Sequence, residues 1–243
     1  MRTDVLGVGF DNITVAEAAE RAAGMMAGGG RGYVVTPNPE IIWMCRRDDA
    51  LKRAIDGAAL VLPDGVGVTL GACILGRPLS GRVPGIDFAE ALLAQTAASG
   101  GRVFLFGAKP GVAEAAAGKL TERYPGLTVA GVSDGYFSDD SAIIDKINAA
   151  SPDLLFVCLG APKQELWLAE RADRVNAALC VGLGGALDVF AGTVRRAPAL
   201  WSRLGIEWLY RLIREPRRIL RMSRLPLYLL AVIWSRLRGG NGN

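Results

Sequence analysis

Histidine is absent from the 243 residues. Any proton transfer performed by this chain therefore falls to a carboxylate, Lys, Tyr, Cys or a ligand, since no imidazole is available. Cysteine is scarce: Cys45, Cys73, Cys158 and Cys180 lie far apart, form no C-x-x-C pair and sit mostly in apolar stretches. They read as reduced core thiols, not as a disulfide framework or a zinc site. Complete phosphate fingerprints are also missing. Gly65-x-Gly67 and Gly182-x-Gly184 each run on to Leu, at 70 and 187, where the dinucleotide motif wants Gly or Ala, and there is no P-loop. These gaps count against a nicotinamide oxidoreductase and a nucleotide triphosphatase. No basic segment followed by an apolar run opens the chain, so no secretory signal is expected and a cytoplasmic protein follows. The longest apolar run near the end, Leu225 to Trp234, is about half a membrane-spanning helix, so it is expected to lie on a bilayer and not to cross one.

What is present is ample apolar material, 51% hydrophobic residues against 21% charged, enough for one large domain plus an appendage. Charge is unevenly placed. Residues 201–243 hold nine Arg and two Glu, whereas the first 200 hold 19 basic and 22 acidic residues. The division expected is a body over 1–197 and an arginine-rich helical appendage over 198–243. Such a tail attracts nucleic acid, anionic lipid or a phosphorylated substrate, and charge alone does not choose among them.

Strand and helix patterns alternate along the body. Thr14 and Glu17 form a capping box for a helix over Val15 to Ala27. Strands are expected at 33–36, 59–62, 103–106, 128–132, 154–159 and 178–183. Helices are expected in two pieces over 40–55, from a cap at Asp87 and Glu90 to 98, and over 112–124, 141–149 and 163–174. Strands apolar on both faces, separated by helices, predict an α/β fold with a Rossmann-like, mainly parallel sheet flanked by helices. In such sheets ligands bind beyond the carboxyl ends of the strands, so the loops there hold the candidates.

Asp64, between Pro63 and Gly65, is a candidate general base; Asp-Gly is also an ordinary turn. Thr36 and Asn38 stand in a proline-stiffened loop where they face a ligand, or where Asn38 caps the helix opening at Pro39. Arg82, in Ser80-Gly-Arg-Val-Pro-Gly85, is placed to clamp a diphosphate or else is a solvated surface charge. Lys163 and Gln164 open a helix after a strand and are candidates to meet an anion there. The chain has no D-x-D pair, a common means of holding a divalent metal on a diphosphate. Without metal, leaving-group charge must be met by Arg, Lys or helix N-termini, and the tail can supply such groups.

In the tail, Arg214, Arg217, Arg221 and Arg224 are spaced three, four and three apart, so a helix starting near Pro216 puts the last three on one face. Trp201, Trp208, Tyr210, Tyr228 and Trp234 interleave with the arginines, which suits a lipid interface. Lipid explains the Leu/Ile/Tyr/Trp stretch after Arg224 better than nucleic acid does.

Taken together, Thr36-Pro-Asn38-Pro-Glu40, Pro63-Asp64-Gly65-Val-Gly67, Arg82-Val-Pro-Gly85-Ile-Asp87, Gly160-Ala-Pro-Lys163-Gln164-Glu165, Gly184-Gly185-Ala-Leu-Asp188 and Glu207-Trp208-Leu-Tyr-Arg211-Leu, continuing to Glu215-Pro-x-Arg218, resemble the WecG/TagA/CpsF family, glycosyltransferase family 26. The resemblance implies inverting transfer of a sugar from a UDP-sugar to a polyprenyl-diphosphate-linked sugar, in cell-surface polysaccharide assembly. It implies Asp64 as base, with Thr36, Asn38, Arg82, Lys163, Gln164 and Asp188 about the substrates and Arg211, Arg218 and Arg221 brought over the site by the appendage. No metal or other cofactor is implied, and no nucleic acid. The partners implied are the donor, the lipid-linked acceptor and the inner face of the cell membrane; separately, the apolar face of the tail is expected to bury itself in an oligomer when no membrane is present. Donors vary within the family; an N-acetylhexosamine, above all N-acetylmannosamine, is expected here.

Overall fold

The computed structural model describes residues 2–198, 201, 207–214 and 224–239, and the structural statements below concern those residues. The chain opens with a hairpin of β1 (Arg2–Val5) and β2 (Val8–Asp11), turned through Leu6 and Gly7, both at positive φ. Helix α1 (Val15–Ala27) follows with the capping box formed as the sequence predicts: Thr14 accepts from the Glu17 amide, and the Glu17 carboxylate accepts from the Thr14 amide. Next come β3 (Tyr33–Val35), α2 (Pro39–Cys45), α3 (Asp49–Asp56), β4 (Leu60–Val61), α4 (Val66–Ile74) and α5 (Gly85–Ala98). The second half runs β5 (Arg102–Gly107), α6 (Val112–Arg123), β6 (Thr128–Ser133), α7 (Asp140–Ala150), β7 (Leu154–Cys158), α8 (Lys163–Arg171), β8 (Leu179–Gly182) and α9 (Ala186–Phe190). Two tail helices are described, α10 (Glu207–Arg214) and α11 (Arg224–Gly239).

The six strands from β3 to β8 form one sheet in the order β4-β3-β8-β7-β5-β6, with every pairing parallel. The unbroken apolar runs explain this arrangement. All five residues of β7 and Val103 to Phe106 of β5 are buried, so both faces need a helical cover, which the helices of strand-helix-strand crossovers supply. The α/β class read from the sequence is therefore correct.

Some elements differ from expectation. Helix α5 starts at Gly85 with Pro84 as its cap residue, so Asp87 lies inside the first turn; it pairs with Arg196 instead of capping. Helices α4 and α9 and the opening hairpin carry no periodic signal strong enough to show in the sequence. Cys45, Cys158 and Cys180 are buried free thiols whose pKa burial pushes up to about 12, but Cys73 is exposed. Tyr228, grouped above with interfacial aromatics, is fully buried.

That last difference bears on how the tail sits. Helix α11 packs on α2 and α4, and its Tyr228 and Val232 join the same buried cluster as Phe104, Phe106 and Trp167 of the body. Its opposite side leaves Leu227, Leu230, Ile233, Trp234 and Leu237 exposed. No helix among the described residues is long and apolar enough to cross a membrane.

Candidate active site

The loops at the carboxyl ends of β3, β4 and β8 are tied to one another by backbone and side-chain hydrogen bonds. Asn38 accepts from the Ile41 amide and so caps α2, with Pro39 in the first helical position. One residue earlier, the Pro37 carbonyl accepts from the Asp64 amide at 3.3 Å, which joins the β4 loop to the β3 loop. The Pro63 carbonyl accepts from the Val83 amide at 2.8 Å, bringing the Arg82 loop alongside. Thr36 is buried, and its hydroxyl donates to the Gly182 carbonyl at 3.2 Å, which reaches β8. A β-carbon at Gly85 would stand 3.3 Å from that hydroxyl, so the start of α5 closes against the same point. Thr36, Asn38, Asp64 and Arg82, far apart in sequence, thus share one end of the sheet.

Gln164 belongs to this group from below. Its side chain is buried, its Oε1 accepts from the Gly184 amide at 2.7 Å, and its Nε2 donates to the neighbouring Glu165 carboxylate at 2.9 Å. Gln164 therefore fixes the Gly182–Gly185 turn against which Thr36 rests. Lys163 is turned elsewhere: its Nζ lies 4.1 Å from the Phe137 ring centroid and donates to the Gly135 carbonyl, at the β6 side of the sheet. Asp188, on α9, accepts from the Thr193 hydroxyl at 3.4 Å through its carboxylate. These two flank the cluster and are held by their own loops.

The tail reaches the site at Arg82, whose guanidinium lies 3.9 Å from the Glu207 carboxylate at the start of α10. Glu207 had been noted only as part of a motif; nothing local in the sequence pairs it with Arg82. Of the tail arginines expected over the site, Arg211 lies on α10, while Arg218 and Arg221 lie outside the described residues. The helix face proposed for Arg217, Arg221 and Arg224 falls largely outside them too; Arg224 itself pairs with Glu40 on α2 at 3.3 Å.

Glu165 is the other residue whose place the sequence did not disclose. Its side chain is 1% exposed, and one carboxylate oxygen is buried without a hydrogen-bond partner among the described residues. Burial raises its pKa above the usual carboxylate value, only partly offset by its own amide and by Gln164. A raised folded-state pKa means that the native state binds more protons than the unfolded state just above the ordinary value. Stability is then greatest below that value and falls as pH climbs toward the raised one. Glu165→Gln is expected to abolish this dependence, so that the variant melts above the parent at pH 7 but not at pH 4; thermal denaturation at both pH values checks it.

Among the described residues no group of three or more His, Cys, Asp or Glu is placed to hold a metal ion. The chemistry on offer includes a half-buried carboxylate, Asp64, on a loop joined through Pro63 to the loop that carries the Arg82 guanidinium. That set can accept a proton on one side of a bound molecule and meet negative charge on the other.

Residues 3–242 match the model of the "Glycosyl transferase WecG/TagA/CpsF family". A Bacillus spizizenii N-acetylglucosaminyldiphosphoundecaprenol N-acetyl-beta-D-mannosaminyltransferase is 38% identical over 201 residues, covering 83% of this chain and 78% of the relative. The Staphylococcus aureus protein of the same name is 34% identical over 234 residues, covering 95% of this chain and 92% of the relative. With a match that spans nearly its whole length, this chain belongs to the WecG/TagA/CpsF family of glycosyl transferases.

Proposed function

We propose that the protein moves N-acetylmannosamine, or a closely related hexosamine, from a UDP-sugar to an N-acetylglucosaminyl diphospholipid of the polyprenyl type, with inversion at the anomeric carbon. The observation that carries this reading is the joining of the Asp64 and Arg82 loops through Pro63, with Asn38 and Thr36 beside them. Asp64 takes the proton of the acceptor hydroxyl as that oxygen attacks the anomeric carbon. The bond to the UDP oxygen breaks on the opposite face, and Arg82 meets the charge that grows on the departing diphosphate. Cationic side chains take the part that a metal plays in many such sites, so the reaction is metal-independent.

The acceptor lies in a membrane, and the exposed face of α11 suits that setting. Leu227, Leu230 and Trp234 form, with Trp43 of α2, an open apolar groove of about 460 Å³. Arg238 stacks at 3.4 Å from the Trp234 ring centroid, and Arg46 at 5.0 Å from that of Trp43, so cations rim the apolar surface. In our reading this face rests on the inner leaflet of the cell membrane and self-associates when no lipid is present. The products serve cell-surface polysaccharide assembly.

Incubation with a panel of UDP-sugars and an N-acetylglucosaminyl diphospholipid tests the reading. UDP release is expected with UDP-N-acetylmannosamine and is expected to persist in EDTA. Failure of every donor in the panel to release UDP overturns the transfer; loss on adding EDTA overturns the metal-free mechanism.

A further inference from the structure

Among the described residues two polar contacts tie helix α11 to the body, and each falls on the helix that directly follows one of the two site loops. Arg224, its first residue, pairs with Glu40, the second residue of α2 and two beyond Asn38. One turn later Tyr228 is fully buried, and its hydroxyl donates to the Gly67 carbonyl at 3.0 Å, in the first turn of α4 and three residues beyond Asp64. A carbonyl has two lone pairs, so one already used within a helix still accepts from outside.

The fit at Tyr228 is steric as well as polar. The ring enters a notch opened by Gly71, where any β-carbon would collide with the Tyr228 hydroxyl and stand 3.1 Å from the ring carbon that bears it. Gly67 shows the same closeness on its other side, since a β-carbon there would lie 2.5 Å from Pro39 Cγ. Helix α4 is thus held between the first residue of α2 and the buried tyrosine of α11. It has no capping side chain of its own, because Gly65, at φ 92°, occupies the cap position. The start of α4 has the Val68 amide on the Gly65 carbonyl but no side-chain cap, so contacts from α2 and α11 add to the bond between the Asp64 amide and Pro37 in setting where Asp64 stands relative to Asn38.

We infer that Tyr228 is a positioning residue for the Asp64 loop: its hydroxyl on Gly67 and its ring against Gly71 make the seating of α11 part of the catalytic geometry. This rests on the reading of Asp64 as the base and deepens it. Membrane anchorage is a separate property, belonging to the exposed face of α11, whereas Tyr228 occupies the buried face. The two faces are separable by mutation.

Tyr228→Phe keeps the ring and deletes the hydroxyl. It is expected to lower kcat about three- to tenfold, the equilibrium factor carried by one neutral hydrogen bond, with the KM for donor and binding to anionic phospholipid vesicles unchanged. Amide hydrogen exchange in the peptide spanning residues 64–72 is expected to quicken, while exchange within α11 stays as in the parent. Gly71→Ala, which expels the hydroxyl, is expected to lose more, and the double variant G71A/Y228F to recover part of that extra loss, since the β-carbon at 71 still stands 3.1 Å from the ring carbon. Should Gly71→Ala fail to fold, Tyr228→Phe carries the test alone.

Parental kcat in Tyr228→Phe overturns the inference, and so does a kcat loss without faster exchange at 64–72. Weakened vesicle binding in Tyr228→Phe overturns it too, because the residue would then serve anchorage. If the parent protein turns over no donor, the proposed transfer fails, and exchange at 64–72 still decides the coupling: faster exchange upholds it and unchanged exchange overturns it.

Discussion

Asp64→Asn is expected to slow sugar transfer by about 10²- to 10⁴-fold, the range carried by a positioned general base. Asparagine keeps the shape of the side chain, and the hydrogen bond from the residue-64 amide to the Pro37 carbonyl is a backbone bond, so the loop retains its tie to Asn38. What disappears is the ability to accept a proton. The loss should therefore appear in kcat, with the KM for donor nearly unchanged and the melting temperature close to that of the parent. Steady-state rates of UDP release with lipid-linked acceptor measure it. A variant that transfers sugar at the parental rate would remove Asp64 from the mechanism and, with no histidine anywhere in the chain, would move the search to Glu, Lys, Tyr or Cys.

Arg82→Ala is expected to cost about 10²- to 10³-fold in kcat, comparable to removing one donor that meets charge developing in a transition state. Arg82→Lys should recover only part of this, because an ammonium does not reproduce the paired hydrogen bonds of a guanidinium on a diphosphate. The contact with Glu207 supplies the control. Both side chains are partly buried at 3.9 Å separation, so Arg82 also helps to hold α10 against the body. Glu207→Gln removes that attraction while leaving Arg82 in place. If holding α10 were the whole role of Arg82, the two variants would lose activity equally. The expected order is a small loss for Glu207→Gln and a large one for Arg82→Ala.

Legibility in the sequence followed the range of the interactions. Helix α1 announces itself because Thr14 and Glu17 satisfy each other within one turn, and α2 because Asn38 and Pro39 are adjacent. The central strands are equally plain, since a run such as Leu154 to Cys158 has no polar side to expose. By contrast α4 has a glycine in its cap position, two more glycines within it and only a weakly polar face, so its periodicity is faint. The opening hairpin was hidden for a related reason: its two-residue turn is Leu6-Gly7, with Leu where Asn or Asp would have signalled a turn at positive φ.

The site shows the same division. Asp64, Asn38 and Arg82 stand out because they are polar or charged residues in glycine- and proline-rich loops, where binding groups concentrate, although Asn38 also has the structural task of capping α2. Thr36 and Gln164 were legible as candidates, but their buried bonds to Gly182 and Gly184 depend on strand order, which no local pattern encodes. Tyr228 misled for the same cause. On an amphipathic basic helix a tyrosine suits an interface, and only the carbonyl of Gly67, 161 residues earlier, shows that it faces inward.

The opening hairpin also decides which rim of the sheet another chain can join. Strand β4, whose loop carries Asp64, is the outermost strand on its side, and its outward amide at Val61 is taken at 2.8 Å by the carboxylate of Asp11, which Arg2 in turn holds at 3.2 Å. A two-residue strand with that amide occupied is a poor template for added strands. The opposite rim, Thr128 to Ser133 of β6, is six residues long and pairs only with β5. Strand-to-strand aggregation of concentrated protein is therefore directed to β6, at the far side of the sheet from the base, and sheet growth would leave the mouth beside Asp64 unobstructed.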